Sequence, residues 1–507
     1  MPEYLAPGVF IEEIERGPRP IEGASTSTAA FLGETERGPT KPRLVTSFGE
    51  YNRYFGGDAG EGNYVPYAVS GFFENGGRRA YICRIVGAGA ARAVLAAGGL
   101  QIEAVGAGEW GNSVFVKLTE STTKSGPDKT PVGFRLQVAY WKTPPGAAVD
   151  PFANPASIPR PTVIEDFDDV VWSDASSADF YEKRLQDKST LIRVVPAGVL
   201  AAAPVADYAP LAGGANGAEP TIIEYKGWDD DSNKRSGLAA LDLDEYRDVA
   251  LVTAPDAPND VVKAVYEHCE RNRFRFAVID PPRGMGNVGD IDPRSKFETM
   301  YAAYYYPWVY TADLQSGARR LVPPSGHVLG LYARTDIERG VWKAPANDVL
   351  RGIFDLEFYV NTGAQELLNP RGVNAIRQFP GRGMRVWGAR TLSANGLWKY
   401  VSVRRLFIFL EHSIYDGTQW VVFEPNDERL WARVKDTIRL FLRTQWRNGA
   451  LMGATEDQAF TIVCDRSTMT QDDILNGRLI CEIGIAPVRP AEFVIFRIFQ
   501  NTAEAQG

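Results

Sequence analysis

The sequence predicts an α+β chain of several domains: an α/β middle domain, a β-rich insertion that interrupts it, and a C-terminal α+β unit. Three observations lead there. Apolar strand patterns and helix patterns alternate around residues 28–85 and again around 249–280. Between about Gly87 and Gly217 the composition turns to Ala, Gly and Pro, with short β-like runs. A long amphipathic helix pattern then opens the last part of the chain, and strand patterns follow it. At ~150 residues per domain, 507 residues leave room for about three.

The elements follow in order. Val9-Phe-Ile-Glu-Glu-Ile14 is rich in β-formers, carries no helix start signal and lies between Pro7 and Pro18, so it reads as a short extended arm. Gly17-Pro-Arg-Pro20 is a stiff linker. Ala29-Ala-Phe-Leu32 is a strand, and helices are predicted over Phe48–Phe55 and near Tyr67–Phe73. Arg79–Val86 closes that unit as a strand. In the insertion, Val114–Leu118 and Phe134–Val138 are strands between Pro-rich loops. Val249–Thr253, a helix over Ala257–Asn272 and Arg275–Asp280 form a strand–helix–strand unit. That spacing predicts a right-handed crossover and a parallel sheet. A helix over Asp427–Asn448 has Asn426 as expected N-cap and Gly449 at C′. Strands are predicted at Phe460–Cys464, Leu479–Ile485 and Phe493–Phe499.

Bulk properties narrow the function classes. The net charge of −8 argues against a nucleic-acid binder. No apolar run approaches the ~20 residues that span a bilayer. The opening Met1-Pro-Glu-Tyr-Leu-Ala-Pro7 has neither a basic nor an apolar leader region, so no signal peptide is expected. Cys83, Cys269, Cys464 and Cys481 are scattered, which fits buried thiols in a reducing compartment.

Enzyme chemistry is hard to assemble. Gly284-Met-Gly-Asn-Val-Gly289 fits G-x-G-x-x-G and follows a strand. However, Pro281-Pro282 intervenes, Asp290 and Asp292 would repel a pyrophosphate, and a helix can start only at Pro293 with Asp292 as cap. A surface loop is the plainer account, and a nucleotide-dependent α/β enzyme the alternative. The three histidines, His268, His327 and His412, stand in no nucleophile motif. No Cys or His spacing suits a metal, and Asp229-Asp230-Asp231 with Asn233 lacks the distal Glu of a calcium loop. No catalytic, cofactor-binding or metal residue is therefore assigned. Trp398, Trp420, Trp431 and Trp446 read as aromatics filling the C-terminal core.

The C-terminal third carries a series of motifs. They are Gly340-Val-Trp-Lys-Ala-Pro-Ala-Asn347, Leu368-Asn-Pro-Arg-Gly-Val-Asn-Ala-Ile376 and Val386-Trp-Gly-Ala-Arg-Thr-Leu392. Trp398-Lys-Tyr-Val-Ser-Val-Arg-Arg405, Gly417-Thr-Gln-Trp-Val-Val-Phe-Glu-Pro425 and Ile485-Ala-Pro-Val-Arg-Pro-Ala-Glu-Phe493 follow. In this order the series resembles the contractile tail sheath family of phages and related injection particles. Weaker matches lie at Pro7–Glu13 and Phe31–Pro39, and the segment from Leu100 to Leu211 carries no resemblance.

The resemblance implies a structural subunit and not an enzyme. It would polymerise as stacked hexameric rings around an inner tube protein, with baseplate and terminator or cap partners, and contract to drive the tube into a target envelope. It implies no cofactor, nucleic acid or membrane insertion, assembly in the cytoplasm, and a place in a phage tail or injection particle. A static tube or capsid protein is the non-contractile alternative. The implied domains are an N-terminal arm (1–23) joining the C-terminal sheath assembly domain (345–507), a middle domain (24–90 and 220–344) and an outward-projecting insertion (91–219).

Two sets of residues gain roles from it. Family members exchange terminal strands between subunits, which falls here on Val9, Phe10, Ile11 and Glu12, and on Phe493, Val494, Ile495, Phe496, Arg497 and Ile498. The acceptor strands would hold Thr461, Ile462 and Val463, and Ile480, Glu482 and Ile483. Independently, Phe493–Phe499 is apolar on both faces except at Arg497, so it needs cover on both sides. Completion of its own domain is the simpler arrangement and exchange the sharper one. The helix over Asp427–Asn448 sets Leu430, Val434, Ile438, Phe441 and Leu442 on one face. Lys435, Arg439, Arg443 and Arg447 line the other. From Asn426 to Asn448 six basic residues face three acidic ones, against the sign of the whole chain. That face is either solvated or the contact for an acidic tube.

Overall fold

The computed structural model describes residues 20–497 apart from 58–59, 61, 146–148, 157 and 187. The chain divides into two compact units. One is Ser25–Arg405; the other combines Met1–Ala24 with Leu406–Gly507. The expected boundary at 344/345 moves to 405/406 because the intervening segment supplies three strands to the main sheet of the first unit.

That sheet has nine strands. Their order is Asp348–Val349, Gly383–Val386, Val373–Phe379, Ala302–Tyr306, Phe276–Ile279, Leu251–Thr253, Ala29–Gly33, Ala80–Arg84 and Arg43–Val45. The six from Val373–Phe379 to Ala80–Arg84 are parallel. Antiparallel strands lie at both margins. Ala29–Gly33, Ala80–Arg84, Phe276–Ile279 and Ala302–Tyr306 are buried at every position. This is why they read as continuous apolar runs: helices cover both faces of a parallel sheet. Numbered by chain order, the parallel strands run 2-1-3-4-5-6, with the direction reversing between Ala29–Gly33 and Leu251–Thr253. The predicted strand–helix–strand unit is present, with its helix at Asn259–Asn272 and parallel pairing on either side.

The insertion builds two antiparallel sheets. One orders Val163–Val170, Phe134–Tyr140, Val114–Glu120 and Ala206–Pro210; the other orders Ile192–Val194, Leu100–Ala104 and Val94–Ala97. It has its own apolar core, running from Ala93 through Val116, Leu136 and Tyr181 to Leu211. Tyr140 ties it to the neighbouring strand region by donating to Glu36 Oε1 at 2.8 Å, with the Arg37 guanidinium over its ring. The buried Arg84 donates to the carbonyls of Gly38 and Ala107.

In the second unit, the long helix is Glu428–Arg447. Its N-cap is Asp427, not Asn426: the Asp427 carboxylate accepts from the amides of Arg429 and Leu430. Asn426 Oδ1 instead accepts from Trp431 Nε1 at 2.8 Å. Gly449, at φ +87°, turns the chain after the helix, a conformation that favours glycine. The strands Phe460–Val463 and Glu482–Ile485 pair antiparallel. The predicted strand at Leu479–Ile485 is thus shorter, and Ile480 lies before it. Residues 20–24 group with this unit. Ile21 packs on Gly417, and the Ala24 amide donates to Ser413 Oγ at 2.9 Å.

Among the described residues no helix is long and apolar enough to cross a membrane.

Candidate assembly surfaces

The C-terminal unit brings three sequence-predicted features onto well-formed elements. On the Glu428–Arg447 helix, Leu430, Val434, Ile438, Phe441 and Leu442 are all buried. Phe441 meets Phe409 at a ring separation of 6.0 Å. The stripe is therefore core, as its 3.6-residue period requires.

The opposite face is charged but not uniformly positive. Arg443 Nε lies 2.6 Å from Glu456 Oε2, and Arg439 Nε lies 3.5 Å from Glu456 Oε1. This pairing holds the Glu456 carboxyl below its ordinary range, chiefly through its hydrogen bond with Arg443. Lys435 is half-buried beside Cys464 and Asp465, while Arg447 is exposed. One carboxylate thus offsets part of the positive surplus within the same unit.

The two-stranded sheet carries Thr461, Ile462 and Val463 opposite Gly484, Ile483 and Glu482. Beyond this sheet, toward the C-terminus, residues 493–497 of the expected strand at Phe493–Phe499 carry no strand pairing among the described residues. Phe493, Val494, Ile495 and Phe496 are 70%, 68%, 77% and 83% exposed. Four consecutive large apolar side chains in water are the reverse of what their chemistry favours. Ile498 and Val9–Glu12 lie outside the described residues.

A second exposed apolar point was not foreseen. Phe423 is fully exposed and sits at φ +69°, a backbone region that L-residues rarely adopt. It follows the exposed Val422 in the Gly417–Pro425 motif. The motif flagged the segment, but no periodicity could reveal a strained turn.

The enzyme-like features resolve into structure. The Gly284 amide donates to Glu357 Oε1 at 3.0 Å, and the Gly289 amide to Asn287 Oδ1 at 3.1 Å. Met285 O accepts from Tyr306 Oη. The amides a phosphate would need are occupied by the protein's own groups. Only the 3₁₀ turns Val288–Asp290 and Pro293–Ser295 follow, and Asp292 makes no side-chain cap. The helix a dinucleotide site requires is missing there.

His268 is buried against the Arg275 guanidinium at 2.6 Å, so burial and that charge hold its ring neutral. His327 is buried without a hydrogen-bond partner at either ring nitrogen. Among the described residues no three His, Cys, Asp or Glu come close enough to hold a metal ion. The tryptophans do not fill one core. Only Trp431 is buried, Trp398 belongs to the first unit, and Trp420 and Trp446 donate to the carbonyls of Gly417 and Gly453.

Comparison with known proteins agrees with this structural reading. Residues 232–392 match the phage tail sheath protein central domain, and residues 393–501 match the phage tail sheath C-terminal domain. A prophage major tail sheath protein of Pseudomonas aeruginosa is 27% identical over 278 residues, 53% of this chain and 69% of that protein. The tail sheath protein of Vibrio phage KVP40 is 26% identical over 231 residues, 45% of this chain and only 33% of the longer relative. The helical sheath of the anti-feeding prophage in its contracted state superposes with a TM-score of 0.56 at 25% identity, over 98% of this chain and 99% of that one. The two family matches cover more than half of the sequence, and the chain belongs to the phage tail sheath family as a structural subunit of a contractile sheath.

Proposed function

We propose that this protein polymerises as stacked hexameric rings around an inner tube and contracts to drive that tube into a target envelope, its subunits knitted by exchanged terminal strands. The observation that carries the reading is the exposed run Phe493–Phe496, which pairs with no strand among the described residues. An apolar segment of this kind is a donor strand awaiting a sheet edge. The Phe460–Val463 and Glu482–Ile485 pair, having only two strands, leaves edges open. Thr461, Ile462, Val463, Glu482 and Ile483 are the acceptor positions, Ile480 lies just ahead of them, and Val9–Glu12 is the second donor.

Arg447, with Lys435, Arg439 and Arg443 behind it, forms the contact for an acidic tube. The ends of the polymer meet a baseplate and a terminator, and assembly takes place in the cytoplasm. No catalytic step is needed. Contraction draws on a bistable interface between subunits, set at assembly and released by loss of a restraining contact. The similar proteins are a phage tail sheath protein and the helical sheath of the anti-feeding prophage, and this protein serves in a contractile particle of that kind.

A cross-linking experiment tests the exchange. With cysteines placed at Ile495 and Ile462, mild oxidation of assembled material is expected to give a ladder of covalent multimers on a non-reducing gel. Cross-linking confined to single subunits would refute exchange through the C-terminal run.

A further inference from the structure

The wall of a cleft in the first unit is unlike the rest of this acidic protein. The cleft holds about 610 Å³ and is lined by residues from six places along the chain. Arg43 comes from the edge strand of the main sheet and Lys41 from the loop before it, Arg193 from the insertion's three-stranded sheet and Arg92 from just before its strand Val94–Ala97. Lys234 and Arg235 come from the segment leading back to the body. These six cations share the wall with no Asp or Glu. In a sequence with 63 carboxylates against 55 basic residues, such a wall is not a sample of the average surface.

The carboxylate partners of these cations sit outside the wall. Glu103 is shared, at 2.6 Å from Arg193 and 3.7 Å from Arg92, so one carboxylate serves two guanidiniums. Arg92 Nη1 is shielded from water and makes no hydrogen bond. Lys41 lies 2.9 Å from Glu245, and Lys234 lies 3.7 Å from Asp231. Two guanidiniums are held by ring faces: Arg43 over Tyr54 at 3.8 Å, and Arg235 over Trp228 at 4.1 Å. Stacked in this way, an arginine loses less freedom when it binds.

We propose that this cleft binds a compact polyphosphate-class anion that bridges the insertion and the sheet body. The volume lies in the range of small-ligand sites, about 300–1,000 Å³. Four guanidinium forks match phosphoryl oxygens in pairs. Linked phosphoryl groups bring several negative charges into one such volume, which a single carboxylate does not. The ligand contacts Lys41 and Arg43 on one side and Arg92 and Arg193 on the other, and so fastens the insertion to the body. The site is separate from the assembly surfaces and from the Gly284 loop, and it performs no chemistry.

The test uses the full-length soluble subunit, titrated calorimetrically with tripolyphosphate and with ATP, and melted with each. Sulfate at matched ionic strength is the control. Saturable binding of one tripolyphosphate per subunit with a raised Tm is expected. ATP of equal affinity would mean that the phosphates alone are read, and tighter ATP that a nucleoside is also held; both support the site. Arg193→Gln and Lys234→Gln alter exposed side chains and are expected to leave the ligand-free Tm unchanged. Each is expected to weaken tripolyphosphate binding by ~10-fold or more through a lost charge-assisted contact. An equal shift with sulfate, wild-type affinity in both variants, or no saturable binding would overturn the proposal. Binding of a poly-glutamate peptide in place of tripolyphosphate would overturn it as well.

Discussion

Buried polar groups shape how this fold responds to pH and mutation. His327 is 1% exposed, and burial pushes its imidazole down to about 4 from its ordinary 6.5. A folded-state value below the unfolded one means that the unfolded protein takes up the proton first. The His327 contribution to stability is therefore complete above pH 6.5 and is lost as pH drops toward 4, by about 3 kcal/mol in total at ~1.4 kcal/mol per pH unit. Urea unfolding of His327→Leu is expected to show less loss than wild type across that window; an unchanged acid slope would refute the assignment. Asp336 and Arg405 form a buried pair at 2.5 Å, with side chains 4% and 3% exposed, and Arg405 also donates to Thr26 O. Asp336→Ala strands a buried guanidinium and is expected to cost about 3–5 kcal/mol in the same assay. Gly71 has the His327 ring 2.5 Å from where a Cβ would stand, so Gly71→Ala is expected to destabilise as well.

At the scale of elements, variants in the run Phe493–Phe496 and in the basic helix test the proposed assembly contacts apart from folding. Ile495→Pro removes a ladder donor, but Ile495 is exposed and joins no ladder among the described residues. Its effect on subunit stability is expected to stay within about 0.5 kcal/mol, while sedimentation shows polymer formation abolished. Normal polymer from that variant would contradict strand exchange. Arg447→Glu is expected to weaken tube capture, most visibly at low salt where charge attraction is least screened. The subunit's melting should not change.

The same elements show what the sequence could reveal. The 430–442 stripe and four of the six parallel strands, at Ala29, Ala80, Leu251 and Phe276, were legible because one-sided and two-sided burial leave different periods, whereas Ala302–Tyr306 and Val373–Phe379 were not read. The helix Ser325–Arg339 was not: it is buried from Ser325 to Thr335, so no polar face marks its turns. The cap shifted by one residue because Asn426 and Asp427 are equally good cap formers. The domain boundary at 405/406 was hidden because strands such as Val373–Phe379 join a sheet begun more than 300 residues earlier, at Ala29. Of the surfaces, the motifs exposed their location but not their state. Nothing local in Phe493–Phe496 says that it lies exposed, and the cations of the cleft come from four distant stretches, at 41–43, 92, 193 and 234–235.

At the scale of the whole molecule, the chain combines a large mixed sheet, an insertion with its own apolar core and an exposed apolar run at 493–496. Membership in the phage tail sheath family explains why a protein of this size carries a large sheet, an independent insertion and an unpaired apolar run without a recognisable catalytic centre among the described residues. The central claim is that this protein builds a contractile cylinder. Electron microscopy of the expressed protein, alone and with a candidate tube protein, tests it most directly. The account predicts hollow, ridged cylinders of uniform width, with two lengths for the same number of rings. Dispersed monomers or small closed oligomers under both conditions would contradict it.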